Sequence, residues 1–359
     1  MRILMSTGGT GGHIYPALSL AKTIEKKYPH SSIVFIGSEN RMEKDIIPRY
    51  GYSFYGLKVS GMNGSLINKL TSGLRLIKSY SKSKKIIKKY QPEIVIGFGN
   101  YITVPVVLAA SHLKIKTMIH EQNSVPGKAN RFLARIVDAV VGCYEENKKD
   151  LGEDKTRILG NPRASEAEMI QKDETVLQLL ELDPAKQTVI FVMGSLGSSS
   201  VNEVLKKAVS QFKDKSYQVL IVTGEIGYES FKQGIDVPNN VKLAKYIDGL
   251  HVMKQASLLV IRGGATTAAE VVAMGIPSII IPSPYVPHDH QTKNAQQLVQ
   301  AGVAKMILET ELNEMRLITE IDELMNDENQ LKKMSSSASE LAKPKASEDI
   351  LHWIEELIR

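Results

Sequence analysis

Four loops rich in small residues have the composition of sites that hold a phosphate or a diphosphate. They read TGGTGGH (residues 7–13), GFGNY (97–101), MGSLGSSS (193–200) and RGGATTAAE (262–270). Glycine lets the backbone approach an anion closely, and the helix that follows adds N–H groups and a partial positive charge at its N-terminus. One such loop is usually only a tight turn. Four of them together indicate that the chain binds phosphorylated ligands.

The first loop matches neither of the common nucleotide-binding patterns. GGTGGH lacks the Lys-Ser/Thr ending of a P-loop, and it does not fit G-x-G-x-x-G. The sequence therefore argues against both an ATPase and a simple NAD-dependent enzyme.

Short β-branched runs alternate with stretches of helical spacing along the whole chain. Strands are predicted at RILMS, SIVFIG, EIVIGFG, KTMIH and AVVGC in the first half, and at TVIFVMG, YQVLIVTG, VKLAKYI, SLLVIRGG, PSIIIPS and AKMIL in the second. Strands that are apolar on both faces and separated by helices indicate parallel sheets in α/β layers. Two such series predict two Rossmann-like domains.

The boundary between these domains is predicted near LGNPRASEAE, where Gly160, Asn161 and Pro162 interrupt the pattern. We expect residues 1–162 to form the first domain and 163–340 the second. Residues 341–359 contain a last amphipathic helix without a strand of its own, which we expect to pack back on the fold.

Composition and charge narrow the class of protein. The 359 residues are 43% hydrophobic and 23% charged, as in a soluble globular protein of two ordinary domains. Cys143 is the single cysteine, which excludes a disulfide framework and fits a reducing compartment. No signal-peptide core and no run of ~18 apolar residues is evident, so we expect a cytosolic protein that spans no membrane.

The net charge of +6 is concentrated in residues 65–90, SLINKLTSGLRLIKSYSKSKKIIKKY, which contain no acid. An excess of basic residues alone is compatible with a protein that binds a nucleic acid, with one that binds an anionic membrane, and with one that has no polyanionic partner. A candidate membrane patch within this segment combines helically spaced apolar residues with two cations: Leu66, Leu70, Leu74, Ile77, Arg75 and Lys78. Such a helix can rest at the lipid headgroups. The alternative is an ordinary amphipathic helix packed on its own sheet.

Five motifs resemble the MurG family of bacterial N-acetylglucosaminyltransferases: GGTGGHIYPALSLA, HEQNSVPGKANRFLA, GNPRAS, GATTAAE and HDHQTKNA. The resemblance covers almost the whole chain and implies the GT-B fold, with two Rossmann-like doubly wound parallel-sheet domains facing across a cleft. It implies inverting transfer of N-acetylglucosamine (GlcNAc) from UDP-GlcNAc to the N-acetylmuramic acid (MurNAc) 4-hydroxyl of lipid I, which yields lipid II for peptidoglycan.

The resemblance also implies partners and a location. The implied partners are UDP-GlcNAc, lipid I and the anionic surface of the cell membrane, to which the protein would attach peripherally on the cytoplasmic face. Cell-wall or division proteins are further candidate partners. No nucleic acid, cofactor or metal is implied.

The resemblance assigns the donor to the second domain. It implies that Glu270, expected in the first turn of its helix, binds the uridine ribose. It also implies that Gln291 and Asn294 bind the GlcNAc hydroxyls. Ser195 and Arg163 would hold the diphosphate, and Ile247 the uracil. The other donor-binding residues on this interpretation are Gly9, Thr10, Gly11, Gly12, Asn123, Ala265 and Thr266.

The first domain would receive the acceptor. The residues assigned to its pyrophosphate are Gly11, Gly12, His13, Gly99, Asn100 and Tyr101. His13 is the candidate general base, because a helix N-terminus disfavours imidazolium and keeps the ring ready to accept a proton. Its alternative role is hydrogen bonding to acceptor or phosphate without proton transfer. Asn123 is expected to reach the donor sugar, and Glu121 to orient its neighbours.

Two residues depart from the family pattern, which has glycine at both positions. Asn100 tolerates left-handed backbone, whereas Met193 is expected to narrow access beside the diphosphate. His288 and His290 are too few for a metal site, and we expect none. The rival functions are a glycosyltransferase with a diacylglycerol acceptor, a UDP-GlcNAc 2-epimerase and a non-catalytic membrane scaffold.

Overall fold

The computed structural model describes residues 1–59, 66–194, 197–224, 227–247 and 249–359, and it leaves the side chains of residues 66–71 and 287 outside the description. The described residues divide into two compact units. Met1–Ser165 and Lys343–Arg359 form the first unit, and Glu166–Ala342 form the second.

The first unit is built on a parallel sheet. Its strands are β1 (Arg2–Ser6), β2 (Ser32–Ser38), β3 (Ser53–Leu57), β4 (Ile94–Gly97), β5 (Lys116–Glu121), β6 (Ala139–Gly142) and β7 (Thr156–Ile158). Their order across the sheet is β3-β2-β1-β4-β5-β6-β7. In register, Ser6 at the end of β1 lies opposite Ile36 of β2 and Gly97 of β4.

The second unit repeats this plan. Its strands are β8 (Thr188–Val192), β9 (Gln218–Val222), β10 (Val241–Ala244), β11 (Leu258–Ile261), β12 (Ser278–Ile280) and β13 (Ala304–Met306). They pair in parallel in the order β10-β9-β8-β11-β12-β13.

Helices lie between the strands and after the last strand. They are α1 (Gly11–Lys27), α2 (Glu43–Arg49), α3 (Leu66–Tyr90), α4 (Thr103–His112), α5 (Lys128–Leu133), α6 (Glu146–Leu151), α7 (Pro162–Glu168), α8 (Glu174–Leu179), α9 (Ser199–Ala208), α10 (Tyr228–Lys232), α11 (Gly249–Met253), α12 (Ala265–Met274), α13 (His290–Gln300), α14 (Glu314–Met325), α15 (Glu328–Leu341) and α16 (Ala346–Ile358).

Each sheet is buried on both faces. Ile3 and Leu4 are neighbours in β1 but belong to different hydrophobic clusters, and Val189 and Ile190 of β8 do the same in the second unit. Successive side chains of a strand point to opposite faces, so both faces carry a core. The predicted fold class of two doubly wound parallel-sheet domains is confirmed.

The strand prediction was incomplete at the edges of the first sheet, where β3 and β7 were not predicted. In β3 the exposure of the side chains alternates, and β7 is only three residues long. Edge strands have one neighbour and pack less apolar surface than central ones, so their sequences lack the continuous apolar run that identified the others.

The segment around α16 belongs to the first unit. Ile350, Trp353 and Ile354 are buried in the cluster that also contains Ile14 of α1. Ser347 binds the start of α7, because its backbone N–H donates to Ser165 Oγ (2.9 Å) and its hydroxyl to Pro162 O (3.1 Å). These bonds hold the chain in the first unit up to Ser165, three residues beyond the expected border.

Replacement of Ile354 by alanine tests the packing of α16. Ile354 is completely buried, so we expect Ile354→Ala to lower the free energy of unfolding of the first unit by about 2–5 kcal/mol. Trp353 is the only tryptophan of the chain, and its fluorescence during urea unfolding reports this unit. Ile77→Ala is the matched control, because Ile77 is 63% exposed and its loss should stay near ~0.5 kcal/mol. Equal effects would contradict the assigned packing.

Candidate functional site

The four glycine loops follow the strands that flank the centre of each sheet. Strand order reverses between β1 and β4 in the first sheet and between β8 and β11 in the second. The loops at residues 7–13, 97–101, 193–200 and 262–270 come directly after these four strands. Connections leave such neighbours in opposite directions, so a crevice opens outside their carboxyl ends, where open α/β sheets bind ligands. Each unit therefore has one candidate site.

In the first unit, the two glycine loops contact one another. Gly9 has a φ of +97°, and a β-carbon there would lie 2.1 Å from Asn100 Nδ2. Asn100 itself has a φ of +69°, the left-handed backbone expected for it. Only glycine at position 9 lets the loops approach this closely.

A buried carboxylate that the sequence did not reveal shapes the first loop. Glu43, at the start of α2, is completely buried and accepts the N–H groups of Ser38 (2.9 Å) and Gly9 (3.2 Å). A β-carbon at Gly8 would lie 2.2 Å from Glu43 Oε1. The glycines of this loop therefore make room for a carboxylate.

His13 lies in the first turn of α1, which begins at Gly11. Its Nδ1 is 3.2 Å from Thr10 Oγ1. On the other side of the ring, Nε2 is 3.2 Å from the point that a β-carbon of Gly99 would occupy. The structure thus brings His13 together with Thr10 and the second glycine loop.

The HEQN segment at the end of β5 is organised by Glu121, which is 2% exposed. Its carboxylate accepts hydrogen bonds from Asn123 N and Nδ2, from Gly127 N and from Asn130 Nδ2, at 2.8–3.2 Å. Glu121 therefore orients its neighbours. One of them is Asn123, the residue predicted to reach the donor sugar.

His120, beside Glu121, is buried and neutral. Its Nε2 donates to Gly160 O at 3.0 Å, and burial lowers the pKa of His120 to about 4. Cys143 Sγ lies 3.9 Å from the same nitrogen, and burial raises the pKa of this thiol above its usual range. Neither group is suited to act as an acid, a base or a nucleophile near neutral pH.

Arg163, predicted to meet the donor diphosphate, lies in the first unit. Its guanidinium is 5.0 Å from the centre of the Tyr15 ring, and Tyr15 packs against Gly11. The structure therefore places this cation near the first glycine loop. Tyr101 of the second loop carries a similar partner, because the Arg41 guanidinium lies 5.9 Å from its ring centre.

In the second unit, a buried ion pair joins the two glycine loops, and the sequence did not reveal it. Arg262 donates to Ser198 Oγ (2.6 Å), to Ile281 O (3.0 Å) and to the Glu309 carboxylate (2.6 Å). The Arg262 and Glu309 side chains are 13% and 8% exposed. Ser198 caps α9, so this guanidinium fixes the start of that helix. Ser195, predicted to hold the diphosphate, lies outside the described residues.

Glu270 lies one turn further into its helix than predicted. Gly264 is the N-cap of α12, so the first turn starts with Ala265 and Thr266 and contains no acid. Glu270 lies in the second turn and is 8% exposed. Gly264 has an extended backbone, with ψ of 130°, so the helix begins directly after it, earlier than the prediction assumed.

Gln291 and Asn294 on α13 hold the loop before α12. Asn294 is completely buried and donates to Gly263 O at 3.2 Å, and Gln291 Oε1 accepts the N–H of Ser283 at 2.8 Å. A β-carbon at Gly263 would lie 2.4 Å from Gln291 O. These contacts differ from the sugar contacts predicted for the two amides, which stay predictions.

Two further side chains of the second unit face the core. Met193 is 3% exposed and packs with Val189 and Phe191, so the expectation that it narrows access beside the diphosphate was wrong. The residue continues the alternation of β8, which points it inward. Ile247 is 7% exposed, which leaves its backbone for the predicted uracil contact.

No group of three or more His, Cys, Asp or Glu side chains that could hold a metal ion occurs in the described part of the chain. His288 and Asp289 precede α13 with left-handed backbone, at φ of 58° and 50°. Asp289 accepts a hydrogen bond from Thr292 at 2.6 Å. This turn therefore shapes the start of α13.

The basic helix α3 has an unpacked apolar stripe. Leu74 and Ile77 are 61% and 63% exposed, whereas Ser79, Ser83 and Ile87 are buried. Arg75 and Lys78 are exposed beside the stripe, and the side chains of Leu66 and Leu70 lie outside the description. No helix within the described ranges is long and apolar enough to cross a membrane.

Comparison with known proteins gives matches along the whole chain. The N-terminal domain of glycosyltransferase family 28 matches residues 3–141, and its C-terminal domain matches residues 188–350. UDP-N-acetylglucosamine–N-acetylmuramyl-(pentapeptide) pyrophosphoryl-undecaprenol N-acetylglucosamine transferase 1 of Bacillus anthracis is 40% identical over 364 residues, which is 100% of both chains. The transferase of that name from Leuconostoc citreum is 41% identical over 99% of this chain and 98% of its own.

Solved structures share the fold. Acinetobacter baumannii MurG superposes with a TM-score of 0.78 at 24% identity over 99% of both chains. UDP-GlcNAc 2-epimerase from Neisseria meningitidis superposes with a TM-score of 0.68 at 16% identity over 99% of this chain and 100% of its own. At these identities the likeness concerns the fold alone.

Removal of Arg262 tests whether the buried ion pair holds the second site. Arg262→Met leaves the Glu309 carboxylate buried without a cation, and we expect a loss of about 3–5 kcal/mol in the unfolding of the second unit. The double variant with Glu309→Leu should recover most of this loss, because no charge stays buried. Calorimetry measures the unfolding of the second unit, and Trp353 fluorescence reports the unfolding of the first unit as an internal control. Additive losses would contradict the pairing.

Proposed function

The chain belongs to glycosyltransferase family 28 and, within it, to the MurG family, and on this premise we propose that it transfers GlcNAc from UDP-GlcNAc to the MurNAc 4-hydroxyl of lipid I. The product is lipid II, the precursor of peptidoglycan. The observation that carries the proposal is the full-length similarity, at 40% identity, to transferases named for this reaction. The glycine loops at the centre of each sheet, whose composition suits a phosphate, support it.

The donor binds the second unit in this proposal. Helices α9 and α12 begin at the two loops that flank the reversal between β8 and β11. Their N-termini carry partial positive charge, which would stabilise the diphosphate as UDP departs. Arg262 acts indirectly, because it fixes Ser198 at the start of α9. Glu270, in the second turn of α12, is the candidate partner of the uridine ribose.

The acceptor binds the first unit, where the loops around Gly9 and Asn100 meet. In the proposed reaction the 4-hydroxyl oxygen attacks C1 of GlcNAc opposite the diphosphate. The bond from C1 to the diphosphate oxygen breaks as the new C1–O bond forms, and UDP leaves with the electron pair. The displacement inverts C1 and gives a β-1,4 link.

His13 accepts the hydroxyl proton in this scheme. When Nδ1–H donates to Thr10 Oγ1, which lies 3.2 Å away, the lone pair of the ring is on Nε2. The start of α1 disfavours a permanent positive charge on the ring. The neutral ring is therefore able to take the proton as the new bond forms.

We further propose that the protein attaches peripherally to the cytoplasmic face of the cell membrane through α3. The exposed Leu74 and Ile77 would enter the headgroup region, and Arg75 and Lys78 would meet anionic lipid. Such attachment would bring the site to an acceptor whose undecaprenyl chain stays in the bilayer. Binding to cell-wall or division proteins stays a prediction.

A direct assay tests the reaction and the base. With UDP-GlcNAc and a lipid I analogue we expect β-1,4-linked product and UDP release, and with diacylglycerol none. His13→Ala should lower kcat by ~10²-fold or more, because proton transfer is lost. His30→Ala is the control, since His30 is an exposed histidine beyond the other end of α1. Product from diacylglycerol alone would overturn the acceptor assignment, and near-normal turnover of His13→Ala would eliminate the base.

Vesicle sedimentation tests the membrane surface. Leu74→Ser with Ile77→Ser should weaken binding to phosphatidylglycerol vesicles by roughly 10-fold or more, since two apolar side chains lose their burial. The control is Leu179→Ser, which changes an 85% exposed leucine in the second unit. Arg75→Gln with Lys78→Gln should weaken binding at low salt only, because screening removes their contribution. Equal binding of all variants would exclude α3 as the contact.

A further inference from the structure

Gln122 of the HEQN segment has no role in the scheme above, yet its environment is unusual. The residue is 3% exposed, and its Nε2 donates to Phe98 O at 3.1 Å. This bond fixes the orientation of the amide, so Oε1 points the other way. Among the described residues, this buried oxygen has no hydrogen-bond partner. A buried carbonyl without a donor is costly, so a group that completes it in the working site is expected.

The unpartnered oxygen and the ring of His13 both lie close to Gly99. Measured from the point that a Gly99 β-carbon would occupy, His13 Cδ2 is at 2.9 Å, His13 Nε2 at 3.2 Å and Gln122 Oε1 at 3.6 Å. Thr10 contacts the opposite nitrogen, Nδ1. Glycine at position 99 thus leaves Nε2 and Oε1 adjacent to the same small space.

We propose that Gln122 is a positioning residue whose Oε1 accepts the Nε2–H of protonated His13, an inference that rests on the proposed role of His13 as base. The proton leaves the MurNAc 4-hydroxyl and binds Nε2, while UDP leaves C1 with its bonding pair. Gln122 gains and loses no proton. It raises the pKa of His13 by stabilising the protonated ring.

The chemistry of an amide suits this position better than that of a carboxylate. A carboxylate there would keep His13 protonated before the reaction, whereas a neutral carbonyl stabilises the charge moderately. The start of α1 acts in the opposite sense, because its dipole disfavours the imidazolium. Gln122 and the helix together would set the pKa of His13 between two values. One is the low value that the helix dipole alone would give, and the other is the high value that a carboxylate would give.

Two substitutions of Gln122 should move the pH profile in opposite directions. The acid limb of the pH profile of kcat/KM reports the pKa of the base in the free enzyme. Gln122→Met removes the acceptor, so we expect the limb to move down by about one pH unit and kcat to fall roughly 10-fold. Gln122→Glu supplies a carboxylate, and the limb should move up by about one to three units.

A matched control separates this role from packing. Gln255 of the second unit is also buried, with both ends of its amide hydrogen-bonded, so Gln255→Met should leave the limb in place. Titration of His13 by NMR, with its resonance assigned from the His13→Ala spectrum, gives the same pKa without turnover. An unchanged limb, or shifts of one sign in both variants, would overturn the role of Gln122 and leave the transfer reaction standing. Failure of wild-type transfer to lipid I would instead overturn the proposed function.

Discussion

Strand order reverses at the centre of each sheet, and this constraint places both candidate sites. Two neighbouring parallel strands send their connections to opposite sides of the sheet, so the space outside their carboxyl ends stays open. All four glycine loops begin there, after β1, β4, β8 and β11. Helices that start at those loops direct N–H groups and partial positive charge to the same place. The folding topology therefore creates two crevices with the chemistry to attract anions before any particular side chain is considered.

Buried carboxylates then give each crevice its shape. Glu43 holds the loop after β1, Glu121 holds the segment after β5, and Glu309 holds the arginine that joins the loops after β8 and β11. All three side chains are at most 8% exposed. Each accepts backbone N–H groups or a guanidinium, so its charge is compensated. The loops are consequently supported from the inner side.

Local patterns in the sequence were sufficient to predict the fold class and the four loops, since apolar runs and clustered glycines are properties of neighbouring residues. The supporting contacts are different. Glu43 meets Gly9 across 34 residues, and Glu309 meets Arg262 across 47. Nothing in either local stretch distinguishes these acids from solvent-exposed ones. The inward direction of Met193 could have been predicted, because Val189 and Phe191 point to the same core four and two positions earlier.

The place of α16 has a consequence for synthesis. This helix completes the core of the first unit around Ile14, but the whole of Glu166–Ala342 is translated between Ser165 and Lys343. At a translation rate of about 5–20 residues per second, roughly 10–35 s pass before α16 is synthesised. During that interval the apolar face of α1 lacks its final cover, while the second unit is being synthesised. Residues that a nascent-chain chaperone would recognise are therefore exposed in the unit that is made first.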